Sequence, residues 1–201
     1  RENSARGTWT ITMDNGDVIL LHQTLNVELI ETIDIYPEDA PMDTIEDLQT
    51  LVDSLGEQVG ASDVVNIHLP AITYEGNLVI SDRPGNLYGS AEGVGPTVFT
   101  GTIQVNPGGV NWITYLHDIE FAGNGDGVAV TAARRTWAIG CRFTGWRTAF
   151  LCHGTGATDG IAYTSCIFED NDVAVHYNRT GSTCLTLSAP PMRFSATAPD
   201  C

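Results

Sequence analysis

The sequence contains no lysine. All nine basic residues are arginine, and they stand against 25 acidic residues, which gives a formal net charge of -16. The absence of lysine excludes Schiff-base chemistry, a phosphate-binding loop with its lysine, and a lysine general base. The scarcity of positive charge argues against nucleic acid as a partner, because phosphate backbones are bound by clustered cationic side chains. Anionic membrane surfaces are disfavoured for the same reason.

Three other features are missing. No run of 18 or more apolar residues occurs, so we expect no membrane insertion in this segment. The chain begins at Arg1 without a charged-then-apolar leader, and we expect it to be a piece of a longer protein whose neighbouring domains are partners. The five cysteines lie in the last third and none forms a Cys-x-x-Cys pair, which argues against a zinc knuckle or a thioredoxin-type motif and leaves their disulfide state open.

The acidic residues that are present are unevenly spread, since 17 of the 25 fall in residues 1–100. This asymmetry predicts two differently built parts. Residues 1–42 are expected to form a strand-rich extension or domain junction. Within it, Thr8–Met13 and Val18–Leu21 flank an Asn-Gly pair and predict a β-hairpin. Residues 43–201 are expected to form one domain that begins with a helix at 43–59, capped by Asp43.

The second part contains an internal repeat. Three segments align with one another, namely Ile119–Phe121, Cys141–Phe143 and Cys166–Phe168. Each is followed, after a short polar turn, by a second strand, predicted at 128–130, 149–151 and 173–175. The phenylalanines that end the three segments are 22 and then 25 residues apart. A period of this length, with short strands and no helix, predicts a parallel β-helix, in which like residues of neighbouring coils form ladders. The three phenylalanines should then stack in one buried column, and Ile119, Cys141 and Cys166 in the next.

Residues 43–195 resemble the right-handed parallel β-helix, or pectin-lyase-like, superfamily. The resemblance is carried by the helix, by the strand that begins at Val64, by the turn Pro70–Tyr74 and by the strand that ends at Ile80, with Leu87–Ser90 similar to the third strand of the first coil. It implies an all-β fold, a right-handed parallel β-helix of about five or six coils with an N-terminal capping helix and a small β-hairpin region. The superfamily includes lyases, glycosidases and non-catalytic surface proteins, so the resemblance is specific for fold and not for function.

The resemblance also implies where chemistry would lie, because pectate lyases of this superfamily hold Ca²⁺ with aspartates and use an arginine base on the outside of the coils. Here Asp126, Arg147 and Asn171 fall in one turn column of three successive coils, with Asp170 and Asp172 beside the last. Such a face could bind a sugar acid, or hold Ca²⁺ on the three aspartates while Arg147 acts as a base. The alternative is an inter-coil ion pair and asparagine ladder that satisfies the turns.

A second predicted column places Cys152 beside His176, both outward by strand alternation. A cysteine and a histidine are the minimum for a thiol nucleophile or a pair of metal ligands. The alternative is ordinary surface packing, since no third residue that would orient the pair is evident.

Two aromatic residues, Trp146 and Tyr177, lie in or beside turns, where a flat ring can stack on a sugar. With Arg147 and Asn171 they are the candidate ligand-binding residues, and partial burial is the alternative. His22, His68 and His117 have no partners that the pattern assigns, and we expect them to be structural or surface residues.

These observations leave three hypotheses of function. The first is a non-catalytic β-helix module of a larger secreted or cell-surface bacterial protein, which recognises or displays carbohydrate. The second is a fragment of a lyase or glycosidase that acts on acidic polysaccharide, with Ca²⁺ as a possible cofactor. The third is a sugar-sensing ectodomain. All three place the protein outside the cell or at its surface.

Overall fold

The computed structural model describes residues 2–12, 18–28, 31–58, 63–81, 85–90, 93–106, 113–133, 135–153, 162–178 and 193–195. It contains one helix and nineteen strands within these ranges. In chain order they are β1 Glu2–Thr12, β2 Val18–Glu28, β3 Thr32–Ile35, α1 Ile45–Gln58, β4 Val64–His68, β5 Thr73–Tyr74, β6 Leu78–Ile80, β7 Asn86–Tyr88, β8 Thr97–Phe99, β9 Ile103–Val105, β10 Thr114–His117, β11 Ile119–Ala122, β12 Val128–Ala132, β13 Thr136–Ile139, β14 Arg142–Thr144, β15 Thr148–His153, β16 Ala162–Thr164, β17 Ile167–Glu169, β18 Val173–Asn178 and β19 Arg193–Ser195.

The first two strands form the predicted hairpin. β1 and β2 pair antiparallel from Glu2 opposite Glu28 to Thr12 opposite Val18, so both strands are longer than the sequence pattern predicted. The Asn-Gly pair lies outside the described residues. β3 follows and pairs in parallel with β4, although it falls in the predicted extension. The division of the chain at residue 42 stays a prediction.

The remaining strands form a parallel β-solenoid, which confirms the predicted fold class. The first sheet has the order β16-β13-β10-β7-β4-β3, the second β19-β17-β14-β11-β8-β5, and the third β18-β15-β12-β9-β6. The chain therefore visits the three sheets in turn, and each new coil adds one parallel strand to each sheet. The right-handed sense of the coil stays a prediction.

The core contains the predicted column of aromatic rings. Phe121, Phe143 and Phe168 are register partners in the second sheet, and their rings stack at 4.7 and 4.9 Å between centroids. The column continues toward the N-terminus through Phe99 and Tyr74, which stack on one another at 4.8 Å. All five side chains are buried. The column confirms that the repeat in the sequence is a repeat of the coil.

The neighbouring inward positions are also as predicted. Ile119, Cys141 and Cys166 are fully buried, so the two cysteines are part of the core. Burial raises the pKa of the Cys141 thiol, which keeps this side chain in its neutral form. Cys184 and Cys201 lie outside the described residues.

The helix covers the N-terminal edge of the solenoid, as the resemblance implies. The Gln49 side chain donates to the carbonyl of Val79 and accepts from its N–H, so it takes the place of the next strand at the edge of the third sheet. The N-cap is Thr44 and not Asp43, because the Thr44 hydroxyl accepts from the N–H of Asp47. The helix runs from Ile45 to Gln58, close to the predicted 43–59, and Gly56 lies inside it. No helix of the described part is long and apolar enough to cross a membrane.

Two of the strand assignments made from the sequence were wrong, one by a whole strand and one by a single residue of register. The segment that begins at Leu87 opens the second coil and does not close the first, because β7 pairs with β4 and places Leu87 opposite Ile67. In the third sheet, Val130 lies opposite Phe150 and not opposite Leu151. The second error changes the predicted orientation of every following residue in β15, because adjacent side chains in a strand point to opposite faces.

Candidate functional site

The predicted turn column brings two of its residues together. Asp126 and Arg147 lie in the turns that join the second sheet to the third in successive coils, and the Arg147 Nη1 is 3.6 Å from the Asp126 Oδ1. Both side chains are largely exposed, at 64% for Arg147 and 80% for Asp126. An ion pair as exposed as this one contributes little to stability, about 0–1 kcal/mol. It is a surface contact between coils, available to solvent.

The third member of this column, Asn171, is used by the backbone of the preceding coil. Its side-chain oxygen accepts from the N–H of Trp146 at 2.9 Å, and its side-chain nitrogen donates to the carbonyl of Phe143 at 2.9 Å. These bonds are those of the asparagine ladder named as the alternative. Asn171 therefore holds the turns in register, and its side chain is already engaged on both ends.

The remaining acidic candidates do not form a cation site. Asp170 occupies the left-handed region at φ 53°, and Asp172 donates its N–H to the carbonyl of Trp146. Among the described side chains, no group of three or more His, Cys, Asp and Glu residues has the spacing of a metal site. Asp126, Asp170 and Asp172 are thus not assembled around a common point.

Trp146 is not the exposed platform that the sequence predicted. Only 4% of the residue is exposed, and its ring packs against the turn of the preceding coil. A Cβ on Gly123 would meet the ring at 2.7 Å, so the glycine makes room for the indole. The alternative of burial is the correct one for this residue. The indole is part of the packing between turns.

Cys152 is also misplaced by the sequence prediction. It is fully buried, its Sγ lies 3.2 Å from the hydroxyl of Tyr163, and it is a thiol rather than half of a disulfide. The register partner of His176 is Leu151, so Cys152 and His176 do not share a column. The prediction that both side chains point outward fails for Cys152, because both Ala149 and Phe150 are buried and strand alternation breaks between them.

Tyr177 is the register partner of Cys152 and is 40% exposed. It also interacts with Tyr163, whose pKa is raised by burial and further by Cys152 and Tyr177. These three side chains form a polar cluster between β15 and the coil of β16–β18, with Cys152 and Tyr163 buried and Tyr177 partly exposed. Tyr177 can still offer an edge to a ligand, and its role in binding stays a prediction.

A surface that the sequence did not predict runs along the outer face of the first sheet. Four aromatic rings stack there, one directly after β3 and three in the strands β4, β7 and β10, and we call them the Tyr–His ladder: Tyr36, His68, Tyr88 and His117. Their centroids are separated by 4.3, 5.2 and 4.5 Å, with interplanar angles of 7°, 23° and 7°. Tyr36 is 42% exposed, and the other three are partly exposed. The ladder follows the axis along which coils are added.

A second row on the same face lies beside the ladder. The side chain of Asn86 donates to Asn66, and that of Asn66 donates to Asp34, which gives a polar chain over three strands. The row continues into two aromatic residues, because the N–H of Tyr115 donates to the side-chain oxygen of Asn86 and Tyr115 is the register partner of Trp137. Their rings meet at 69° with 5.6 Å between centroids, so Trp137 is turned relative to the stacked rings.

The electrostatics of this face follow from its contacts. Hydrogen bonds from His68 and Asn66 lower the pKa of Asp34, so its carboxylate stays charged. The His68 Nε2 lies 2.9 Å from this carboxylate. Partial burial raises the pKa of Tyr88 and lowers the pKa of His117. The N-terminal end of the ladder therefore carries an ionised carboxylate, while the shifts of Tyr88 and His117 both favour the neutral ring.

The lowered pKa of His117 leads to a prediction on stability. The unfolded chain takes up this proton near pH 6.5 and the folded chain at lower pH, so stability is complete above pH 6.5 and falls as the pH drops through the lowered value. We expect His117→Gln to be less sensitive to this acidification than the parent protein in thermal melts from pH 8 to 5. The exposed His153, replaced by glutamine, serves as the control. Parallel pH profiles for the parent and His117→Gln would contradict the prediction.

The sequence carried a weak signal for the ladder. Each of His68, Tyr88 and His117 is the last residue of its strand. Their spacing is irregular, however, at 20 and then 29 residues, because the loops of the coils differ in length. Only the register of the parallel strands shows that these three rings are neighbours.

Comparisons with protein-family models, with curated proteins and with solved structures find no match. Membership of the pectin-lyase-like superfamily stays a prediction. What is established for this chain is a parallel β-solenoid.

Proposed function

We propose that this chain is a carbohydrate-recognition or display module, without catalysis, of a larger secreted or cell-surface protein. The proposal rests on one observation, the row of partly exposed aromatic and polar side chains on the outer face of the first sheet. Contiguous exposed aromatic surface on a folded protein indicates an interaction site. Aromatic rings with polar neighbours are suited to sugars, whose rings have apolar faces and hydroxyl rims.

The arrangement of the rings defines how a sugar would be bound. Because the ladder rings lie face to face, they offer mainly their edges, with the Tyr88 hydroxyl and the histidine nitrogens as hydrogen-bonding groups. The turned ring of Trp137 lies at the other end of the face and is the candidate for stacking. Parallel strands are about 4.8 Å apart. A ligand that follows the ladder therefore meets one polar edge on each coil.

The predicted turn face supports catalysis less well. Asn171 is engaged with the backbone, and Trp146 is buried. The pair of Asp126 and Arg147 is left as a solvent-exposed contact. For these reasons we favour recognition on the first sheet over cleavage at the turns.

A glycan array with and without Ca²⁺ tests this proposal on the parent protein and two variants. We expect Trp137→Ala to bind the parent's best glycan about tenfold more weakly, because a lost aromatic contact costs about 1.4 kcal/mol. Arg147→Ala, on the turn face, should bind as the parent does. Circular dichroism and thermal melts establish that both variants are folded.

Two results would overturn the proposal. If the parent protein binds no glycan under either condition, the solenoid is a spacer and not a lectin-like module. If Arg147→Ala loses binding while Trp137→Ala retains it, the ligand lies on the turn face.

A further inference from the structure

Two buried cysteines occupy the same inward position in successive coils. Cys141 and Cys166 directly precede Arg142 and Ile167, which are register partners, and the N–H of Ile167 donates to the carbonyl of Cys141 at 2.9 Å. Neighbouring parallel strands lie about 4.8 Å apart, and a disulfide spans Cα atoms separated by about 4.4–6.8 Å. Both side chains are fully buried in the same core. The stacking of the coils therefore brings the two thiols to the spacing of a crosslink.

The two thiols are also in contact with one another. The Cys166 Sγ lies 3.4 Å from the carbonyl oxygen of Ala138, in the coil that contains Cys141, so the sulfur is directed toward that coil. A hydrogen bond with the Cys141 thiol lowers the pKa of Cys166. The buried Cys152, by contrast, lies opposite Tyr177 in the register of the third sheet. Among the buried thiols of the described residues, Cys141 and Cys166 are the pair that the register aligns.

We propose that Cys141 and Cys166 are a crosslink site, which a disulfide oxidant such as oxidised glutathione converts into a disulfide between successive coils. The thiolate of one cysteine attacks oxidised glutathione, and a mixed disulfide forms as one glutathione thiolate leaves. The thiolate of the other cysteine then attacks the protein sulfur of the mixed disulfide and releases the second glutathione. In total the two protein thiols give up two protons and two electrons, and one glutathione disulfide is reduced to two thiols.

Burial decides when this reaction takes place. Neither thiol is exposed in the folded protein, so an oxidant reaches them while the chain folds or when this part of the solenoid opens locally. A secreted or cell-surface location, which belongs to the proposed function, provides an oxidising compartment during folding. The crosslink itself does not depend on the binding of carbohydrate.

The crosslink closes one complete coil of the solenoid. Residues 142–165, between the two cysteines, contain β14, β15 and β16, which is one strand of each sheet. Each coil of a solenoid contacts only its neighbours, so a bond between successive coils excludes unfolded conformations in which these coils separate. We expect the oxidised protein to melt about 5–10 °C above the reduced protein, the usual effect of one disulfide on a chain of this size.

The test refolds the denatured, reduced chain in a mixture of reduced and oxidised glutathione, blocks free thiols by alkylation and maps the product by trypsin digestion and mass spectrometry. Because the chain has no lysine, trypsin cuts after arginine and releases Cys141 in residues 136–142, whereas Cys152 and Cys166 share residues 148–179. We expect these two peptides to be joined in the parent protein and in the control Cys152→Ala, and to be separate in Cys166→Ala. Cys141→Ala is the second variant if Cys166→Ala folds poorly.

Thermal melts measure the effect on stability. Each chain refolded in the glutathione mixture is compared with the same chain refolded in dithiothreitol, so the cost of the substitution itself cancels. The rise in melting temperature should be kept in Cys152→Ala and lost in Cys166→Ala. Circular dichroism establishes that the compared proteins are folded.

Three results would overturn the proposal. If the two peptides of the parent protein are recovered unjoined, Cys141 and Cys166 do not pair. If they remain joined in Cys166→Ala, the bond belongs to Cys152. If the oxidised and reduced parent proteins melt at the same temperature, the bond does not hold the coils together. Glycan binding is measured in none of these experiments, so failure of the proposed function and failure of the crosslink are distinguishable.

Discussion

Replacing Phe143 by alanine is expected to lower the free energy of unfolding by about 3–5 kcal/mol, the usual cost of removing a buried phenylalanine. The side chain is fully buried and stacks on Phe121 and Phe168, at 4.7 and 4.9 Å. It also meets the ring of Phe150 edge-on at 6.3 Å. The substitution therefore opens a cavity that faces three rings, in a column that the neighbouring coils cannot close without moving their own strands.

Urea denaturation followed by far-ultraviolet circular dichroism measures this loss. Phe143→Leu is the matched control and should lose less, because it keeps most of the apolar volume. Glu120→Gln provides a second control, since Glu120 lies on an adjacent strand of the same sheet and is only partly buried. A Phe143→Ala protein within about 1 kcal/mol of the parent would show that the aromatic column does not hold the coils together.

Replacing Gly101 by alanine is expected to destabilise the protein by about 3 kcal/mol or more, at or beyond the upper end of the usual cost of overpacking. A Cβ on this residue would lie 1.8 Å from the carbonyl oxygen of Gly76 in the preceding coil. The obstacle is backbone, which no change of rotamer can relieve. The two coils would have to separate at this corner, and separation would weaken the parallel pairing of β6 with β9 nearby.

Gly125→Ala is the control for this experiment. Gly125 has φ +92° and nothing within 4 Å of its added Cβ, so the substitution introduces backbone strain without a clash. Its expected cost is about 1–2 kcal/mol, the usual cost of an L side chain at positive φ. Thermal melts and the soluble yield of the two variants distinguish the effect of the steric clash at Gly101 from that of backbone strain alone at Gly125. Equal stability of Gly101→Ala and Gly125→Ala would mean that close approach of the coils is not the constraint at Gly101.

The predicted core was correct where one residue type recurs at one strand position. The phenylalanines of the repeat are 22 and 25 residues apart, and the register of the second sheet places all three at the same interior position of successive coils. The helix was likewise recognisable from its apolar face. The N-cap residue of the helix could not be recognised in the same way. Asp43 and Thr44 are both favourable N-cap residues, and the geometry of the chain before the helix decides between them.

The orientation of Cys152 could not be deduced from alternation. In β15 the side chains of Thr148, Ala149 and Phe150 are all buried, so the inside–outside pattern is interrupted where the strand leaves its turn. A count begun at Ala149 places Cys152 outside, whereas a count begun at Phe150 places it inside. The prediction that Trp146 is exposed was wrong for a related reason. A turn is expected to be exposed, but the small Gly123 of the neighbouring coil leaves a space that the indole fills.

By itself, then, the sequence determined the solenoid, the capping helix and the inward column, because these depend on periodic apolar residues along one chain. The tertiary structure decided which outward side chains are neighbours. His68, Tyr88 and His117 are separated by loops of unequal length, and their contact is set by the hydrogen-bonded register between parallel strands. Residues on the inner face must be apolar because they are buried, so their positions can be read from the pattern of apolar residues in the sequence. Residues on the outer face are not constrained in this way, so the sequence pattern does not show which of them are neighbours.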